Sequence, residues 1–187
     1  MARPIRLFVS SSPELYAERE IVGEVIAALP LTIGWRIGHT SIPGETARGE
    51  VASVDQCDLY ALVLGQDFAA PMGVELRQAT AIGRTPLAFR GKAAYSPSAQ
   101  DAIRRLSLGW REFSTPGEFR ASFERALMRA VIRQAVQLGL ELNELERLIE
   151  LSQEAERTAS EAQPGRRHGD AGRSGVILGR EVWESGN

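Results

Sequence analysis

Asp58-Leu-Tyr-Ala-Leu-Val-Leu64 is the stretch that decides the fold. After its opening aspartate it runs apolar or aromatic without a break. A strand with one wet face alternates polar and apolar side chains. An unbroken run of this length belongs to a parallel strand covered on both faces. Gly65 ends it, and Gln66 to Gly73 form a loop. Beyond the loop the spacing of Leu76, Ala79 and Ile82 predicts a helix from Val74 to Ile82, terminated by Gly83. Thr85-Pro-Leu-Ala-Phe89 is the next strand, with Pro86 at its beginning, where a missing N–H is tolerated. A helix near Ser98 to Leu106 and a short strand near Trp110 to Phe113 complete this half.

Working back toward the N-terminus, Leu31 to Ile37 reads as a weaker strand and Glu45 to about Val54 as a short helix. Ile5 to Val9 is the first strand, running into Ser10-Ser-Ser12. A helix then opens. Ser12 is placed to cap it, Pro13 suits its first position and Glu14 complements its dipole. Leu15, Val22, Val25, Ile26 and Leu29 supply its buried face, and Pro30 stops it. Strands alternating with helices imply a parallel sheet with right-handed crossovers, and five strands fit the order 2-1-3-4-5. The expected fold is therefore an α/β, flavodoxin-like sheet flanked by helices over residues 1–115.

From Pro116 the pattern becomes helical. Phe119, Phe123, Leu127, Ala130, Val131 and Leu138 line one amphipathic helix, and Leu142, Leu145, Leu148, Ile149 and Ser152 mark a second, close to a heptad seam. Residues 116–162 are expected to form a helical hairpin, packed on the sheet or pairing with a second copy or a partner protein. Residues 163–187 read as a flexible linker and tail.

The 187 residues carry a formal charge of -2, which gives no basic surface for nucleic acid. Met1 to Glu14 has too short an apolar run for a signal peptide, and no stretch reaches the ~18 apolar residues that span a bilayer. With a single cysteine, Cys57, the expectation is a cytoplasmic protein with no membrane contact. Cys57 reads as a core residue. His39 and His168 lack ligand spacing, so no metal site is expected.

In an open α/β sheet, ligands bind outside the carboxyl ends of the strands, at the switch in strand order. That rule brings together Ser10, Ser11, Gly65, Asp67 and Glu75. Glu75 stands in the first turn of its predicted helix, where the dipole complements a carboxylate. A carboxylate at a crevice suits glycosidic cleavage, because it can stabilise or attack an oxocarbenium-like sugar, and Asp67 offers a second acidic group. Ser10 to Ser12 offer hydroxyls, and the N–H groups that follow, to a phosphate or ribose. The plainer alternatives stay open: serines that cap a helix, a glutamate that complements a dipole, an aspartate in a solvated turn. Glu18, Arg19 and Glu20 read as a solvated helix face, and Tyr60, Trp35 and Trp110 as core. No Gly-x-Gly-x-x-Gly, P-loop or Gly-x-Ser-x-Gly elbow is present.

Phe8-Val-Ser-Ser-Ser-Pro-Glu-Leu-Tyr-Ala-Glu-Arg-Glu20 resembles the opening of a domain found in bacterial signalling and defence proteins, itself similar to Toll/interleukin receptor (TIR) domains and nucleoside 2-deoxyribosyltransferases. Cys57 to Gly65, Glu75 to Ala79, Gly83, Pro86 and Phe89 continue the resemblance over residues 5 to 90. Gly73-Val-Glu-Leu-Arg-Gln-Ala79 is similar to the transferase helix that bears the nucleophilic glutamate. The resemblance implies a TIR-like fold and an N-glycosidase that cleaves NAD or a related nucleotide at the bond to ribose, with NAD as substrate rather than cofactor and Glu75 as the key carboxylate. It equally admits a non-catalytic interaction module or a nucleotide sensor. Glu75 discriminates between them: an adaptor can bury it against Arg19, Arg77 or Arg84, whereas an enzyme must present it to a ligand.

Overall fold

The computed structural model describes residues 3–40 and 53–161. Strand β1 (Ile5–Ser11) leads to helix α1 (Tyr16–Ala28) and strand β2 (Trp35–His39). A 3-10 turn at Val54–Gln56 precedes β3 (Leu59–Leu64), α2 (Ala70–Ala81), β4 (Leu87–Gly91), α3 (Pro97–Arg105) and β5 (Arg111–Phe113). Helices α4 (Pro116–Arg133), α5 (Ala135–Leu138) and α6 (Leu142–Glu161) follow. The helix expected over 45–54 lies outside the described residues except for its last two positions, and the tail at 163–187 lies outside them entirely.

The five strands form one all-parallel sheet in the order β2-β1-β3-β4-β5. Every residue of β3 is buried, as its unbroken apolar sequence requires of a strand covered on both sides. On one face Leu7, Val9, Ala61, Val63 and Phe89 pack against α1 and α4. On the other, Phe8, Tyr60, Leu62 and Leu64 pack against Met72, Leu76 and Ala79 of α2 and Ala99 of α3.

Several element boundaries differ from those expected, for local reasons. β1 continues through Ser10 and Ser11, which pair with Leu62 and Val63 and are fully covered. Ser12 does not cap α1. That helix starts at Tyr16 with no side-chain cap, because the Ser12 hydroxyl is engaged across the sheet. α2 starts four residues before Val74, with Pro71 in its opening turn, where its missing N–H costs nothing. β4 runs from Leu87, so Pro86 lies just outside the ladder.

α4 shares the core of the sheet. Phe119 and Phe123 are fully buried, each with its ring centroid within 5.7 Å of Phe89, and Phe119 also meets Phe113. Phe119 and Phe123 of α4 thus share one hydrophobic core with α1 on the same face of the sheet.

α6 returns along α4 and buries part of the expected stripe. Leu148 and Ser152 are buried, and Ala155 is partly so. Leu142 is 72% exposed and Ile149 37%. The rotation of the helix is set by Glu144, 4% exposed, which lies just under the surface against the loop before β2. Its Oε1 accepts both the Thr32 N–H and the Thr32 hydroxyl at 2.7 Å, and its Oε2 accepts the Glu141 N–H at 3.0 Å. Those bonds, the Thr32 hydroxyl foremost, outweigh desolvation and hold the carboxyl below its ordinary range. A depressed carboxyl stabilises the fold above its unfolded pKa, and that contribution is lost as pH falls through the lower folded value. Glu144→Gln is expected to lower stability by roughly 1–2 kcal/mol at neutral pH. In urea titrations the gap from wild type should close as pH falls below about 4. A gap that stays constant to acid pH would show that the charge is not what docks α6.

Candidate functional site

Glu75 lies on α2, on the sheet face away from α1, over the carboxyl ends of β1 and β2. It belongs to the second turn of the helix rather than the first, because α2 begins at Ala70. The helix dipole acts chiefly on the first turn, so the position of Glu75 rests on its hydrogen bonds instead. The Ser10 hydroxyl donates to its Oε2 at 2.5 Å and the Thr40 hydroxyl donates to the same oxygen at 2.7 Å. Oε1 has no hydrogen-bond partner among the described residues.

Thr40 is held in turn by backbone. Its N–H donates to the Val9 carbonyl at 3.1 Å, and its Oγ1 accepts the Ser11 N–H, also at 3.1 Å. None of Arg19, Arg77 and Arg84 forms an ion pair with Glu75. The Arg84 Nε donates to the Cys57 carbonyl at 2.8 Å, the Arg19 Nε donates to the Ser11 hydroxyl at 2.7 Å, and Arg77 is exposed. Glu75 is thus a half-buried carboxylate fixed by two neutral hydroxyls through one oxygen.

The three serines after Val9 diverge. Ser10 faces α2 and Glu75. The Ser11 side chain faces α1, where it receives Arg19, so Arg19 is not part of a solvated helix face. Ser12 ties β1 to the loop after β3: its hydroxyl donates to the Asp67 carbonyl at 2.7 Å and accepts the Gly65 N–H at 2.8 Å. Glu14 joins this tie, accepting the Gln66 N–H. A Cβ at Gly65 would run into the Glu14 carboxylate, which would have to shift, and would press on the Leu15 Cγ at 3.2 Å.

Asp67 does not join Glu75. It is exposed, and its carboxylate accepts the hydroxyls of Ser96 and Ser98 at the start of α3. Those bonds, Ser96 first, hold its carboxyl below the ordinary range. Cys57 is buried, and burial pushes its thiol up to about 11, the state of an inert core residue. No cluster of His, Cys, Asp or Glu among the described residues could hold a metal ion. No described helix is long and apolar enough to cross a membrane.

Ser10, Gly65 and Glu75 therefore gather at the strand ends as expected from topology, with Ser11 turned to the opposite face and Asp67 turned aside. Sequence reading missed Thr40 and Glu14 as parts of this region, and it placed Ser12 in the same loop but read it first as a helix cap. The topological rule itself could have found Thr40, which follows β2 and so borders the end of β1.

Two clefts lie away from this region. One, of about 190 Å³, sits at the amino ends of β3 and β4 beside Arg84, Thr85 and Arg133. The other, of about 480 Å³, runs between α4 and α6 beside Met128, Leu151 and Ala155.

No protein-family model matches the chain, and no curated protein matches it. Among solved structures, a crystal structure of the glycotransferase of kitacinnamycin aligns with 87% of this chain at 19% identity and a TM-score of 0.37. The chain spans 44% of that structure's length, and likeness of this degree carries no argument about function.

The contact at Gly65 can be tested directly. Gly65→Ala should push the Glu14 carboxylate off the Gln66 amide and lower stability by about 1 kcal/mol. In a Glu14→Ala background the penalty should shrink. An undiminished penalty in urea titrations would mean that Leu15, not Glu14, is the obstacle.

Proposed function

We propose that this chain is a TIR-like N-glycosidase that cleaves NAD or a related nucleotide between the base and the ribose, with Glu75 as the carboxylate that meets the sugar. The observation that carries the reading is the state of Glu75. Its Oε2 is anchored by Ser10 and Thr40, while among the described residues no arginine forms an ion pair with it and its Oε1 has no partner. As the C1′–N bond breaks, the base leaves with the electron pair and positive charge builds on the sugar. A carboxylate already fixed in position stabilises that charge without reorganising. Water then adds to C1′ and releases a proton, giving free base and the ribosyl product.

The site residues divide the work in this reading. Ser10 and Thr40 orient Glu75, and Gly65 ends β3 and donates its N–H to the Ser12 hydroxyl. Ser11 and Asp67 act indirectly, by holding α1 and the start of α3. The resemblance of residues 5 to 90 to signalling and defence domains supports a role of that kind. Assembly through residues 116–162, into a homo-oligomer or onto a partner protein, is supported by Leu142 and Ile149, which α6 leaves exposed.

Those same two side chains favour a second reading, in which the chain is a non-catalytic interaction or nucleotide-sensing module. Incubation with NAD at high protein concentration, followed by chromatography for free nicotinamide, separates the two. Wild type should release nicotinamide. Glu75→Gln keeps the shape and removes the charge, so it should fold normally and lose roughly a hundredfold or more in rate. Equal rates in the two proteins would remove Glu75 from the mechanism. The absence of turnover by an assembled wild-type protein would leave the module reading.

A further inference from the structure

The cleft of about 480 Å³ between α4 and α6 is lined by Met128, Leu151, Ala155 and Ala159, with Glu124, Glu154 and Arg125 among its polar groups. Leu151 is 41% exposed there. Leu142 and Ile149 do not line it, so this apolar flank of α6 is separate from the one they mark. Apolar surface gathered in a concave groove and rimmed by charge suits an apolar segment better than it suits water. Among the described residues, neither the Glu124 nor the Glu154 carboxylate has an ion-pair partner.

The chain itself supplies a matching segment. Ala159 lines the cleft two residues before Glu161, where α6 and the described residues end, so the chain leaves the helix beside the groove. Residues 162–174 are polar or small and include Pro164, Gly165, Gly169 and Gly172. Gly175-Val-Ile-Leu-Gly179 and Val182-Trp183 then return to apolar sequence. A spacer of that length and composition spans roughly 20 Å on average. From Leu151 to Ala159 α6 rises only about 12 Å, so the apolar run reaches the whole groove. Charge agrees with this pairing. Residues 163–180 carry Arg166, Arg167, Arg173 and Arg180 against the single acid Asp170, and they would meet a groove with two carboxylates and one arginine. Tethering also holds the segment at an effective concentration of about a millimolar, which favours it over a free partner.

We propose that the cleft between α4 and α6 is the docking site of this chain's own residues 175–183. Val176, Ile177, Leu178 and Trp183 cover Met128, Leu151 and Ala155, and the flanking Arg173 and Arg180 meet the acidic rim. Docking covers the apolar flank of α6 and ties α6 to α4 by a second contact besides Glu144. The proposal does not depend on the glycosidase reading.

The test uses the full chain. The fluorescence of Trp183, taken as the difference between wild type and Trp183→Phe, should lie at shorter wavelength than that of a water-exposed indole. That blue shift should be lost in Leu151→Gln, which changes the groove, and in Ile177→Asp, which changes only the tail and so leaves the helices intact. Diluting the wild type about a hundredfold should leave the emission in place, because a tethered segment keeps its effective concentration. Limited trypsin digestion gives an independent readout. Cleavage after Arg180 should be roughly tenfold faster in Leu151→Gln than in wild type, while cleavage after Arg167 proceeds equally in both. Wild-type emission typical of an exposed indole would overturn the proposal, as would a blue shift indifferent to Leu151→Gln, which would put the segment elsewhere. A blue shift lost on dilution would also overturn it, by seating the segment on a second copy.

Discussion

Everything in this molecule depends on the pairing of β1 with β3 at the centre of a parallel sheet. Both strands are buried on both faces, so each face must be covered. α1 and α4 close one side, and α2 and α3 close the other. Because all strands are parallel, their carboxyl ends lie together. Consecutive crossovers leaving β1 and β3 go to opposite faces, which opens the chain between them. Ser10, Ser12, Gly65 and Glu75 meet there as a consequence of topology, whichever chemistry they serve.

Polar side chains at the end of a buried strand must find partners, or burial penalises them. The serine run resolves this by dividing three ways. Ser10 bonds Glu75 of α2, Ser11 receives Arg19 of α1, and Ser12 bonds both Gly65 and Asp67 of the loop after β3. Three consecutive hydroxyls thus fasten β1 to the helix on each face and to the neighbouring loop. The arrangement that positions Glu75 is also structural, and the two roles share the same hydroxyls. Among the described residues, the donors that hold the Glu75 carboxylate are neutral hydroxyls.

The helical end of the chain follows a similar logic with a different anchor. α4 is bound into the core by phenylalanines that pack edge-on and tilted around Phe89. α6 has a weaker apolar stripe, and one carboxylate, Glu144, sets which side of it faces inward. The leucines that look like a seam in the sequence are consequently split between the α4 contact and solvent.

The sequence by itself determined the class of fold, the order of strands and the end of the sheet where polar groups gather. Those properties follow from periodicity and from the rule that parallel strands need covered faces, and both can be read residue by residue. The end of β3 at Gly65 and the helical nature of the segment bearing Glu75 were legible for the same reason. Only the tertiary structure decided which serine faces which helix, that Thr40 joins Ser10 on Glu75, that Asp67 turns toward α3, and which stripe of α6 is buried. Each of these depends on which partner stands opposite a side chain. A hydroxyl or carboxylate accepts any suitable donor within reach, so its sequence neighbours do not say which one the fold will bring.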